Sequence, residues 1–151
     1  MTLVQKVARN MAVTPVPAAP DSIVGIANMK GRVVTVISLS ALFGREREKT
    51  VFGREKGART INAVVFKPFT DGGDQMGLLI DRPGDLIEIG EKKILPLSLK
   101  TGAEEKFYLS GMAEVERNLY RIINIGAINK RFEDGGKNPA ANVISQGGTY
   151  D

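Results

Sequence analysis

The sequence has no cysteine, no histidine and no tryptophan. Without cysteine there is no disulfide framework, no thiolate nucleophile and no thiolate metal ligand. Without histidine the side chain that most often serves acid–base catalysis near neutral pH, and most often ligates transition metals, is gone. Aromatic residues are also scarce, three tyrosines and six phenylalanines. None of them alternates with Lys or Arg along one predicted strand, so the base-stacking platform of single-strand nucleic-acid binders is missing. No apolar run approaches the ~18 residues of a membrane helix. The N-terminus lacks the charged, apolar and small-residue layout of a signal peptide, and a cytoplasmic location is expected.

What remains is a chain of 151 residues, 42% apolar, with a net charge of +4. That length suits one compact domain or two small lobes. The charge is concentrated between Arg45 and Lys67, where seven basic residues face three acidic ones. Such a segment could meet phosphates, and a β-barrel nucleic-acid-binding protein using residues 45–67 is the alternative functional class. The alternation of Arg and Glu in "GREREK" favours a solvated loop or helix end. "GREREKT", Gly44 to Thr50, ends like a phosphate-binding loop, but Glu48 stands where glycine must let backbone amides close around phosphate. Asp81, Asp85 and Glu88 are close enough in sequence to hold a hard cation or act as an acid–base pair. "DRPGD" reads instead as a turn in which aspartate bonds backbone amides. "TDGGD" lacks the spaced oxygen ligands of a calcium loop. No cofactor, metal or catalytic residue is expected.

Period-two patterns and β-branched runs punctuated by glycine dominate, giving eight or nine short strands and an all-β class. "TLVQKVA" from Thr2 reads as a strand, and the prolines of "VTPVPAAP" make Val13 to Pro20 an extended connection. Ile23–Met29 and Arg32–Leu39 form a hairpin about Lys30 and Gly31, with glycine supplying the positive φ of the turn. Ser40 is the expected N-cap of a short helix, "ALFG", ended by Gly44. "RTINAVVFKPF" and "QMGLLIDR" pair across "TDGGD". "PGDLIEIG" and "KKILPLSL" read as two more strands, and Lys100 to Lys106 as a polar connection. "FYLSGMAEV" and "NLYRIINIGAI" then close the folded part.

"VGIANMKGRVVTVISLSALFG", residues 24–44, resembles the signature of the CheW-like domain, the adaptor family of bacterial chemotaxis arrays. Three more blocks agree in order and spacing: "LVQKVARNMAVTPVPAAP", "QMGLLIDRPGDLIEI" and "FYLSGMAEVERNLYRIINIGAI". The resemblance implies residues 1–128 as a CheW-like domain and 129–151 as a polar, mobile tail. It implies two intertwined five-stranded β-barrel lobes with a short helix and no catalysis. It further implies a chemotaxis signal-transduction adaptor with two partners, the regulatory domain of a chemotaxis histidine kinase and the cytoplasmic tip of a chemoreceptor. By position, contact falls to Lys6, Asn28, Lys30, Gly31, Val33, Val34, Val36 and Ile37, with Met76 and Leu78 in the second lobe. Alternate residues of any barrel strand are core, so about half of these apolar positions are expected inside.

Departures from the family pattern are specific. Lys30 replaces an arginine, exchanging a planar bidentate donor for a point charge. Lys6 stands where a glutamate is usual, turning an attractive pair into two like charges. Thr35 and Ser38 take the places of a proline and an aspartate. The family's leading hairpin precedes the block matched by "LVQKV", and only Thr2 separates that block from Met1. The first lobe is therefore expected to be incomplete at its N-terminus. Its exposed sheet edge would be covered by a second copy of the chain, unless the sequence is shortened or its start mis-assigned.

Overall fold

A computed structural model of the chain describes residues 3–44, 59–72, 74–90 and 93–133. They fall into two units, residues 1–85 and 86–151. The charged stretch 45–58, including the loop-like "GREREKT" from Arg45 onward, and residues 134–151 of the expected tail lie outside the described residues.

In the first unit the strand expected from Thr2 is ten residues long, β1 (Val4–Val13). A bulge lies between Ala8 and Met11, where Asn10 takes φ 52°, a conformation that asparagine tolerates better than most residues. The Asn10 N–H is held by the Asn62 side-chain oxygen at 3.1 Å. The expected hairpin is present as β2 (Ile23–Met29) and β3 (Arg32–Ile37), with Met29 opposite Arg32. The second hairpin is also present, β4 (Arg59–Phe66) with β5 (Gln75–Ile80).

The strand order is β1-β4-β5-β3-β2. β3 and β5 run parallel, Val34 opposite Gln75 and Ile37 opposite Leu78. β1 and β2 lie at opposite ends of this order, yet they meet. The Thr14 N–H donates to the Ile26 carbonyl at 2.8 Å, and the Ile26 N–H to the Thr14 carbonyl at 2.9 Å. The sheet thus curls until its two edges bond, the way a small barrel closes. Val34, Val36, Ala63 and Val65, none of them exposed, fill the interior with Ala8, Val13, Val24, Ala27 and Ile61. Among the described residues this sheet has five strands, the number expected of one lobe.

Closure depends on Gly25. A Cβ there would lie 2.4 Å from the Thr14 carbonyl oxygen and 2.6 Å from Val13 Cγ1, so the two edges approach only because the position carries no side chain.

The short helix α1 (Leu39–Leu42) is capped by Ser38 and not by Ser40. Ser38 keeps an extended backbone, its N–H bonded to the Ser22 carbonyl at 2.8 Å. Its hydroxyl accepts from the Ala41 N–H at 3.4 Å. The helix therefore starts as soon as strand pairing stops, two residues earlier than the capping pattern suggested.

The second unit departs further from expectation. "PGDLIEIG" forms no strand among the described residues, and "KKILPLSL" contributes only β6 (Ile94–Leu95). The expected polar connection holds a helix, α2 (Ala103–Tyr108), with Glu104 and Glu105 in its first turn, where carboxylates complement the exposed N–H groups. β7 (Leu109–Val115) and β8 (Asn118–Ile123) form the closing hairpin, and the sheet order is β6-β7-β8. The last expected strand ends early. Asn124 accepts from the Ala127 N–H at 3.1 Å through its side chain and starts α3 (Ile125–Glu133), so regular structure continues past residue 128. Its sheet has three strands among the described residues, against the five expected of a complete lobe. Tyr108, Leu109, Ala113, Ile125 and Ile128 are its buried apolar side chains among the described residues. No helix among the described residues is long and apolar enough to cross a membrane.

Gly25→Ala is expected to cost about 3 kcal/mol, since neither contacting atom can retreat without opening the closure. Gly31→Ala, whose Cβ would meet nothing within 4 Å, should lose only about 1 kcal/mol to its left-handed φ. Urea unfolding of the two variants measures the difference.

Candidate functional site

The hairpin singled out by the sequence turns through two left-handed residues, Lys30 at φ 52° and Gly31 at φ 81°. Two consecutive positive φ values give the turn twist that matches paired strands. Glycine takes this shape freely, whereas lysine takes it at a cost. Part of that cost is offset by Asn28, whose side-chain oxygen accepts the Gly31 N–H at 2.9 Å. Asn28 is thus a turn-making residue, and it holds the Lys30 backbone at the exposed tip.

Of the expected contact residues, Val33 stands apart. It is the second residue of β3, opposite Asn28, and is 57% exposed. Lys6, Asn28, Lys30 and Gly31 are exposed as well. Val34, Val36 and Ile37 are fully buried, and Met76 and Leu78 nearly so. Of the four apolar residues expected to make contact from this strand, Val33 alone is exposed. Val34 and Val36 point into the barrel interior, as strand alternation demands, and pack in its core cluster. Ile37, Met76 and Leu78 share the opposite face of the sheet through the β3–β5 register, and that face is covered at these positions.

Lys6 is on β1 opposite Val65, and Lys30 is at the β2–β3 turn. Neither has an ion pair among the described residues.

The parallel pairing of β3 with β5 brings in residues that the sequence reading missed. Arg32, Val33, Gly72, Asp74 and Gln75 line an open depression of about 340 Å³ where the two hairpins end side by side. Val33 supplies its apolar wall, and exposed Arg32 and Asp74 bring one charge of each sign. Gln75 is buried and fixed, its amide N–H groups bonded to the Phe66 carbonyl at 3.1 Å and to the Gln5 side-chain oxygen. A turn rich in Asp and Gly was visible in the sequence, but its neighbour in space was not.

Asp81, Asp85 and Glu88, the carboxylates considered for chemistry, are exposed. It is the backbone carbonyl of Asp81 that accepts from the Asn62 amide, at 3.0 Å. Among the described residues no three acidic side chains converge to hold a metal ion. Of the basic segment 45–67, only residues 59–67 are described, and most of these belong to β4.

The site's chemistry is therefore that of a surface: one exposed valine, a cation at a rigid turn, and a charge of each sign beside a shallow hollow. The chain is 24% identical over 116 residues to a chemotaxis protein CheW of Rhizobium meliloti (strain 1021), spanning 76% of this chain and 68% of the relative. Its structure is similar to the crystal structure of the scaffolding protein TtCheW from Thermoanaerobacter tengcongensis, with a TM-score of 0.66 and 25% identity. That likeness covers 90% of this chain and 84% of TtCheW. The CheW-like domain pattern matches residues 1–133, and with the closed five-stranded sheet and its exposed hairpin end it establishes that the chain belongs to the CheW-like domain family.

Proposed function

We propose that this chain is a non-enzymatic chemotaxis adaptor that couples chemoreceptors to a histidine kinase, and that the first unit docks through the exposed end of its β2–β3 hairpin. The observation that carries the reading is Val33, a large apolar side chain left open beside a lysine held in place by its turn. Membership of the CheW-like family, with relatives described as a chemotaxis protein and a scaffolding protein, supports the adaptor role. The contact set is Asn28, Lys30, Gly31 and Val33 from the sequence reading, joined by Arg32 and Asp74. Lys6, exposed on β1, is a second cation for the same partners. The partners are the kinase's regulatory domain and the receptor's cytoplasmic tip.

The energetics suit reversible assembly. Covering one valine side chain is worth roughly 1.5–3 kcal/mol before association costs. The charged rim adds selectivity and encounter rate more than affinity. A surface of this size gives a complex that forms and dissolves readily, as a signalling adaptor requires.

Val33→Asp is expected to weaken binding to the kinase regulatory domain at least about tenfold by isothermal titration calorimetry, with an unchanged thermal midpoint. An undiminished affinity would refute the site. Val34→Asp, one residue on, should instead unfold the first unit, because an unpaired charge would enter a sealed apolar core.

Turn and docking roles separate at Lys30. Lys30→Asn should raise stability by about 0.5–1 kcal/mol, since asparagine accepts the left-handed shape that lysine resists, while weakening the complex. Asn28→Ala should cost about 1 kcal/mol through the lost bond to Gly31. Thermal unfolding alongside the same titrations reads both.

A further inference from the structure

The second unit's sheet ends at β8, which pairs with β7 on one side and with no strand on the other among the described residues. The hairpin turns at Glu116 and Arg117, with φ 49° and 66°, and sets Val115 opposite Asn118. In a two-residue hairpin that closing pair is hydrogen-bonded, and the ladder then alternates. Asn118 and Tyr120 therefore bond towards β7. Leu119 and Arg121 turn their N–H and C=O groups outward, at an edge where Leu119 is 58% and Tyr120 42% exposed.

Most natural edges are blunted by proline, bulges or charges standing over the edge. β8 contains no proline and no acidic residue, and its one cation, Arg121, is drawn aside to Glu105 of α2 at 2.9 Å. We propose that this edge pairs with β8 of a second copy of the chain, antiparallel about a two-fold axis through Tyr120.

The register follows from the ladder and the charges. Outward-bonding residues must face outward-bonding residues, so the axis passes through a residue, and the greatest overlap of the six-residue strands puts it at Leu119, Tyr120 or Arg121. An axis at Arg121 sets that arginine against its own mate, and an axis at Leu119 sets Arg117 against Arg121. Like charges directly opposite are destabilising. The axis at Tyr120 avoids both, pairs tyrosine with tyrosine, and lays Leu119 beside the stem of the mate's Arg121. Four backbone hydrogen bonds result, from Leu119 and Arg121 of each copy. The strand has six residues, so its pairing falls short of the roughly 800 Å² per partner of a stable complex, and the dimer is weak and concentration-dependent. This edge belongs to the second unit and is independent of the hairpin surface proposed above.

Sedimentation equilibrium of the 151-residue chain across roughly 10 µM to 1 mM should show the mass rising from 16.3 kDa towards twice that value. Leu119→Pro removes an outward N–H and leaves the ladder to β7 untouched, and should raise the dissociation constant at least about tenfold. The chain's lack of cysteine allows a second, independent reading. Across the proposed axis two Tyr120 Cα atoms lie about 4.5 Å apart, within disulfide reach, while two Leu119 Cα atoms lie about 7–8 Å apart. Tyr120→Cys should therefore oxidise to a covalent dimer at least about tenfold faster than Leu119→Cys. A constant mass of 16.3 kDa overturns the proposal, as does equal crosslinking of the two cysteine variants or a dimer indifferent to Leu119→Pro. A monomer whose Leu119 amide is protected from hydrogen exchange also overturns it, because the edge would then be covered within a single copy.

Discussion

Two backbone hydrogen bonds between Thr14 and Ile26 hold the two ends of a five-stranded sheet together, and the first unit is organised around that closure. A flat sheet of these strands would leave β1 and β2 as open edges and Val34, Val36 and Val65 half covered. Curled shut, the same strands seal those side chains completely. The requirement reaches back to composition, since the edges approach only where Gly25 offers no Cβ. It reaches forward to function as well. A closed, rigid barrel fixes the direction in which its hairpin projects, so a turn of two residues suffices to present a contact.

Among the described residues the second unit has no comparable closure. Its sheet has three strands among the described residues, and its buried set is small, drawn from α2, β7 and α3. Arg131 of α3 helps hold it, its guanidinium bonding the Tyr108 hydroxyl at 3.2 Å and lying 5.9 Å from that ring's centre. Polar and cation–π contacts take a larger share where the apolar interior is thin. Among the described residues the two units therefore differ in kind: one is a closed five-stranded sheet, the other a three-stranded sheet flanked by helices.

Local chemistry was legible in the sequence and long-range adjacency was not. The Lys30–Gly31 and Asp71–Gly72 turns announced both hairpins of the first unit. In "VVTVI", however, apolar residues occupy both faces, so alternation alone could not say that Val34 points inward and Val33 outward. The parallel pairing of β3 with β5 leaves no local trace, and Arg32, Asp74 and Gln75 were missed for that reason. In the second unit, "NIGAI" carried a strand-like run of β-branched residues. Asn124, acting as a cap, decided for helix.

Because β3 and β5 run side by side in the same direction, the turn at Lys30–Gly31 and the loop at Gly72 open at one end of the barrel. Loop length on surfaces is thermodynamically inexpensive to change. Insertions or deletions in either connection would reshape the hollow beside Val33 and leave every interior residue where it is. Partner choice in such a protein is therefore free to diversify by changes in loop length, while the barrel that carries the loops stays constant.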